Sequence, residues 1–180
     1  MRLFVSIDFP CEICTELYDR VPDIQGWRKT PASQIHLTLF FIGECPEALV
    51  EQISEELQTI RFQPFELVTS NLGAFPNQKK PCILWCGVEV NKALLDLQKA
   101  VEARLALYRK KPDDKPFFPH ITLARLKRNS GKHNRVRELL SVEQTKLNVY
   151  IDRFSLKQSI LKPGGSEHGV LKEFIAKGAS

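Results

Sequence analysis

Two stretches, Ile35-His36-Leu37-Thr38-Leu39-Phe40 and Pro119-His120-Ile121-Thr122-Leu123-Ala124, decide how this chain folds. Each is an apolar run holding one His and, two positions on, a Thr. On a strand, residues i and i+2 point the same way. His36 and Thr38 therefore share one face while Leu37 and Leu39 enter a core from the other, and His120 and Thr122 do likewise over Ile121 and Leu123. With seven Thr in 180 residues, a given His has a Thr two positions on about 4% of the time, and two of four His do so roughly 1% of the time. The repeat is signal.

The flanking sequence repeats with them. Before the first motif, residues 2 to 9 alternate, with Leu3, Val5, Ile7 and Phe9 against Phe4, Ser6 and Asp8, the period of a strand. Pro10 then opens a helix with Ile13, Leu17 and Val21 in its stripe, and a polar loop runs from Asp23 to Gln34. After the motif, Pro46 starts a second helix (Leu49, Ile53, Leu57, Ile60), followed by strands over 65–73 and 82–90. In the second half, Asn91 caps a helix with Leu94, Leu97, Val101, Leu105 and Tyr108 on one face. A polar loop (Arg109 to Pro116), the second His strand, a basic helix near 132–141 and strands near 146–160 and 169–177 complete it. The shared order of helix, polar loop, His strand, helix, strand, strand reads as a diverged duplication. Halves packed as a pseudo-two-fold pair would bring all four polar groups to one cleft.

Length and composition fit one domain, 1–180, with lobes built from two related halves, about 1–90 and 91–180. At 43% hydrophobic and 26% charged, the chain is neither disordered nor fibrous. No apolar run approaches the ~18 residues of a membrane span, and the N-terminus lacks the form of a signal peptide. The odd count of five cysteines suggests reduced thiols in a cytoplasm. Cys11-x-x-Cys14 has no second such pair and reads as structural, because free Cys is commonly a small buried hydrophobe. A net charge of +5 suits a polyanionic or phosphate-bearing partner.

Imidazole, with an ordinary pKa of ~6.5, serves as acid or base near neutral pH, and a Thr hydroxyl donates to a phosphate oxygen. Two His-Thr pairs suit an oxyanion held between two proton-transfer groups.

On these residues the chain resembles the 2H phosphoesterase superfamily, and within it the RNA 2′,3′-cyclic phosphodiesterases, also called 2′-5′ RNA ligase-like proteins. Arg2-Leu3-Phe4-Val5-Ser6-Ile7-Asp8, Phe41-Ile42-Gly43-Glu44, the run from Pro116 through His120 to Arg125, and Pro163-Gly164-Gly165-Ser166 agree with it, so the resemblance covers nearly the whole chain. It implies an α+β, bilobal fold with two antiparallel sheets around a central cleft and helices on the outer faces. It also implies hydrolysis of RNA 2′,3′-cyclic phosphate ends without metal or cofactor, or the joining of 2′-5′ ends, and nothing in the sequence demands more than a monomer. By the same resemblance His36 is the proton donor and His120 the acceptor, and Thr38, Thr122 and Arg125 hold the phosphate. The residues leave two other readings open: a non-catalytic module for nucleotides or RNA ends, and a phosphodiesterase for another small cyclic phosphodiester. A zinc hydrolase using His and Cys is a third, but two His-Thr pairs need no metal.

Some residues read two ways. Strict alternation puts Arg125 on the face opposite His120, so it reaches the cleft only through a twist or bulge and is otherwise a solvated Arg. Phe4 shares a face with Ser6 and Asp8, and Phe40 with His36 and Thr38; each is a candidate to stack on a base or to fill the core. The basic run Lys127, Arg128, Lys132, Arg135 and Arg137 reads as an RNA track or a solvated face. His133 and His168 read as surface residues, and Gly164-Gly165 as a hairpin turn.

Overall fold

The alternation at the N-terminus produces strand β1 (Arg2–Asp8) in the computed structural model, which describes residues 1–109, 115–127, 134–162 and 165–177. Ser6 and Phe4 are as buried as Leu3 and Val5, because β1 lies between two other strands and is covered on both faces. Helix α1 (Cys11–Asp19) follows Pro10, whose φ of −54° suits helix entry, and buries Cys14 and Leu17. Helix α2 (Val50–Gln58) buries Ile53 and Leu57. Helix α3 (Lys92–Leu105) begins where Asn91 Oδ1 accepts the Leu94 N–H at 2.8 Å, and its stripe of Leu94, Leu97, Val101 and Leu105 is at most 1% exposed. Each such side chain contributes about 1.5–3 kcal/mol by leaving water. A short helix α4 (Asn134–Leu140) completes the set.

The remaining strands are β2 (Trp27–Lys29), β3 (His36–Glu44), β4 (Phe65–Phe75), β5 (Ile83–Val88), β6 (His120–Leu126), β7 (Asn148–Ile151), β8 (Arg153–Lys162) and β9 (Gly165–Ile175). They form one path in the order β7-β4-β5-β6-β3-β1-β8-β9, with β2 beside β6, and every pairing is antiparallel. Helices α2 and α3 pack on each other and on β3, β4 and β9, and α4 packs on β4. The chain is α+β.

Strands from the two halves of the chain interleave: β1 pairs with β8, which pairs with β9, while β4 pairs with β7 and β5 with β6. The two expected sheets are also joined, at the single pair Leu37–Ile121 between β3 and β6. Joining them there leaves fewer unpaired backbone groups at the middle of the molecule. Finally, the polar loop of 23–34 contains β2, which adds to β6 from Ala124 onward, and the strand expected over 146–160 is two strands broken at Asp152. Within the loop expected from Arg109 to Pro116, residues 110–114 lie outside the described ones.

Candidate active site

With Leu37 opposite Ile121, carrying the antiparallel register one residue either way sets His36 across from Thr122 and Thr38 across from His120. The two imidazoles then occupy one diagonal of a square and the two hydroxyls the other. Diagonal positions in such a pair lie about 7–8 Å apart, which leaves room for one phosphate between the rings. All four residues line one cavity of about 910 Å³. The free edge of β6 turns from β3 at Ile121 to β2 at Ala124, and between the two strands it joins the sheet opens into this cleft.

Both rings are held alike. His36 Nδ1 lies 2.7 Å from the Gln34 carbonyl oxygen, and His120 Nδ1 lies 2.8 Å from that of Phe118. A carbonyl only accepts, so each Nδ1 carries a proton and Nε2 remains for the cavity. Their surroundings differ. His36 packs on the rings of Phe4 and His168, each with its centroid 5.1 Å away. Asp8, its cross-strand partner, makes an ion pair with the buried Lys157. His120 stands against Phe75 at 5.0 Å, with Phe118 and Trp85 beyond. Burial lowers the His36 pKa to about 4, the Gln34 bond opposes this, and Lys157 and His168 add to it. Burial, with Arg125 nearby, also lowers His120 against its bond to Phe118.

A bulge follows each Thr. Along β3, Thr38 pairs with Ser6 and Phe40 with Val5, so Leu39 is the extra residue; along β6, Thr122 pairs with Trp85 and Ala124 with Leu84, so Leu123 is. Each bulge turns two consecutive residues inward (Leu39 and Phe40, Leu123 and Ala124) and moves the next one to the cleft. Arg125 thereby lines the cavity beside His120 and Thr122. The same shift removes Phe40 from the face of His36: it is 5% exposed, with Arg109 over its ring at 4.9 Å. Phe41, 51% exposed, takes its place in the cleft. Phe4 reaches the cavity wall but is 2% exposed, roofed by His36, Phe41 and His168. Phe40 is thus a core residue and Phe4 a buried part of the cavity wall, while Phe41 is the aromatic that the bulge exposes in the cleft. A bulge invoked for Arg125 at the fifth position after His120 applies equally to the fifth position after His36.

His168 is the other residue the sequence reading misplaced. It stands on β9 in the cleft wall, edge-on to His36, with its Nδ1 buried and without a hydrogen-bond partner. Only the pairing of β9 with β8 and of β8 with β1 brings it there. Lys127, Arg135 and Arg137 of the basic run are exposed and outside the cavity wall. Arg128, Lys132 and His133 lie outside the described residues, as does Gly164 of the expected turn.

Five cationic side chains, Arg2, Arg28, Lys29, Arg125 and Lys162, line the cleft against the single carboxylate of Glu167. A second hollow of about 680 Å³ carries Asp8, Glu12, Asp152 and Glu173 against Arg153, the wrong sign for a phosphate. All five cysteines are free. Among the described residues no group of three or more His, Cys, Asp or Glu could hold a metal ion, and no helix is long and apolar enough to cross a membrane.

The chain is similar to known proteins. A protein named RNA 2′,3′-cyclic phosphodiesterase from Archaeoglobus fulgidus is 33% identical over 180 residues, covering 97% of this chain and 99% of its own. One of the same name from Thermus thermophilus is 34% identical, covering 99% of this chain and 91% of its own. The crystal structure of TT0787 of Thermus thermophilus superimposes with a TM-score of 0.84 at 31% identity, over 100% of both chains. The model of the 2′-5′ RNA ligase superfamily matches residues 15–159, which contain both His-Thr motifs and the bulges behind them. On fold, motif and sequence together, the chain belongs to the 2′-5′ RNA ligase superfamily, the 2H phosphoesterases.

Proposed function

We propose that the chain hydrolyses RNA ends bearing a 2′,3′-cyclic phosphate to 2′-phosphates, with His36 and His120 as the proton-transfer pair. The observation that carries this is that both imidazoles line one cationic cleft, each fixed through Nδ1 by a carbonyl oxygen and each leaving Nε2 for the substrate. The cyclic phosphate sits between the rings, with Thr38, Thr122 and Arg125 donating to its non-bridging oxygens. His120 takes a proton from water, the water oxygen bonds to phosphorus, the bond to the 3′ oxygen breaks in line with it, and His36 protonates that oxygen. A 5′-hydroxyl in place of water gives a 2′-5′ phosphodiester by the same step, which is reversible.

The burial that lowers both histidines also strengthens their attraction to an anion, because charges interact more strongly where water is excluded. A bound phosphate therefore raises both pKa values toward the working pH, and the donor gains its proton with the substrate. Phe41 is positioned to stack on a base. The five free thiols support a reducing, cytoplasmic setting, and the cleft is complete within one chain, as a monomer requires.

The test is hydrolysis of a short RNA ending in 2′,3′-cyclic phosphate with EDTA present, comparing the wild type with His36→Ala and His120→Ala. The expected result is a 2′-phosphate product, with each variant slowed about 10²–10⁴-fold. Turnover surviving both substitutions, or abolished by EDTA, would reject the assignment.

A further inference from the structure

Arg28 is a cleft cation beyond the groups assigned to a single cyclic phosphate. It lies directly opposite Arg125 in the β2–β6 ladder, so the two side chains leave the sheet on the same face about 5 Å apart at Cβ. The Leu123 bulge aims that face into the cleft, and both arginines line the cavity. Arg28 reaches outward from Arg125 to the opposite lobe. A Cβ built on Gly165, at the start of β9, would fall 2.9 Å from its guanidinium carbon. Gly165 has a φ of +127°, so a side chain is disfavoured there on backbone grounds as well. Lys162, on the same rim, pairs with Glu167 at 2.5 Å.

A cyclic phosphate carries one negative charge and two non-bridging oxygens. Thr38, Thr122 and Arg125 account for both. Beside them stands a second guanidinium of the same sign, close enough that, after burial, its charge is the further influence lowering the Arg125 pKa. Two such forks on one face suit two anions in succession, since a guanidinium is matched to phosphate by its paired donors. In an RNA end, the second anion is the phosphate on the 5′ oxygen of the terminal nucleotide.

We infer that Arg28, seated against Gly165, is a second phosphate subsite for the 5′-side phosphate of the terminal nucleotide, making the enzyme selective for RNA ends over cyclic mononucleotides. This rests on the cyclic-phosphate reading above. The experiment measures kcat/KM for adenosine 2′,3′-cyclic phosphate, its 5′-phosphorylated form, and the dinucleotide ApA ending in 2′,3′-cyclic phosphate. The wild type is expected to favour both substrates with the 5′-side phosphate at least tenfold over the first. Arg28→Ala should reduce that preference below threefold and flatten the salt dependence of dinucleotide KM by about 0.7 in log–log slope, the loss of one single-strand phosphate contact. Arg28→Lys should retain part of it. Gly165→Ala, which displaces the guanidinium without removing its charge, should lower it too. No wild-type preference, a preference for the dinucleotide alone, or a loss in Arg28→Ala equal across the three substrates would overturn the subsite. A wild type inactive on all three would instead reject the cyclic-phosphate reading itself.

Discussion

Strands β3 and β6 share one backbone plan and differ in what surrounds it. Both present His, then Thr, then a bulged Leu, and both fix the imidazole through the carbonyl two residues back. At the position the bulge delivers to the cleft, β3 has Phe41 and β6 has Arg125. His36 leans on Phe4 and on a third imidazole with a buried ion pair behind it, whereas His120 stands in a wall of Phe75, Trp85 and Phe118. A duplicated frame places the reacting groups symmetrically. The neighbours then differ, a cation on one side and an exposed aromatic ring on the other.

The sharpest way to break the symmetry is at the fifth positions. Arg125→Ala is expected to lower kcat/KM about 10²-fold for every cyclic phosphate, since it removes a charged phosphate donor, while Phe41→Ala should cost about tenfold through KM and vary with the base. Steady-state kinetics on purine and pyrimidine ends separates the two. Equal, base-independent losses would mean that the delivered positions do not divide the work. Thr38→Ala and Thr122→Ala, by contrast, should slow turnover to a similar degree, because their places on the square are equivalent.

The difference between the histidines should also appear in stability. With a folded pKa of about 4 against ~6.5 unfolded, His36 binds fewer protons in the native state between those values. Its contribution is therefore complete above pH 6.5 and is lost as pH falls toward 4. From pH 7 to 5 the wild type should lose about 2 kcal/mol more than His36→Gln in urea unfolding. His120→Gln should change the pH slope in the same sense. A slope identical in wild type and His36→Gln would show that the ring is solvated.

The last effects are expected at glycine. A Cβ on Gly73 of β4 would lie 2.1 Å from the Trp85 ring, so Gly73→Ala must displace the wall beside His120, at about 1–3 kcal/mol. Gly43, after the first motif, has open space but a φ of +86°, and Gly43→Ala should cost only the backbone strain, about 1 kcal/mol. Thermal unfolding of the pair distinguishes a crowded lobe from a strained strand position; a cost at Gly43 exceeding that at Gly73 would contradict this ranking.

Much of the site was legible because strand faces are written in period two. His36, Thr38, His120 and Thr122 were assigned to two faces from alternation alone, and those faces do meet on one cavity. Helix α3 was equally readable, since its stripe and its Asn91 cap are local features. Alternation fails where the backbone inserts a residue. Nothing within Leu39-Phe40-Phe41 marks the bulge, so alternation leaves Phe40 on the face of His36 and gives no sign that Phe41 lines the cleft. Arg125 reaches the cavity by the same device on the other strand.

The amino-acid sequence by itself therefore determined most of the elements and the two His-Thr faces, because these follow from side-chain order over a few residues, and through the family resemblance those motifs carry it implied the α+β class. Tertiary structure alone decided which strands share a lobe, why a three-residue β2 exists, and how His168 and Arg28 come to the cleft. Those outcomes depend on pairings between segments more than ninety residues apart, such as Arg28 with Arg125 and Leu3 with Gln158. Such pairings are selected by how buried faces and backbone hydrogen bonds are satisfied across the whole sheet.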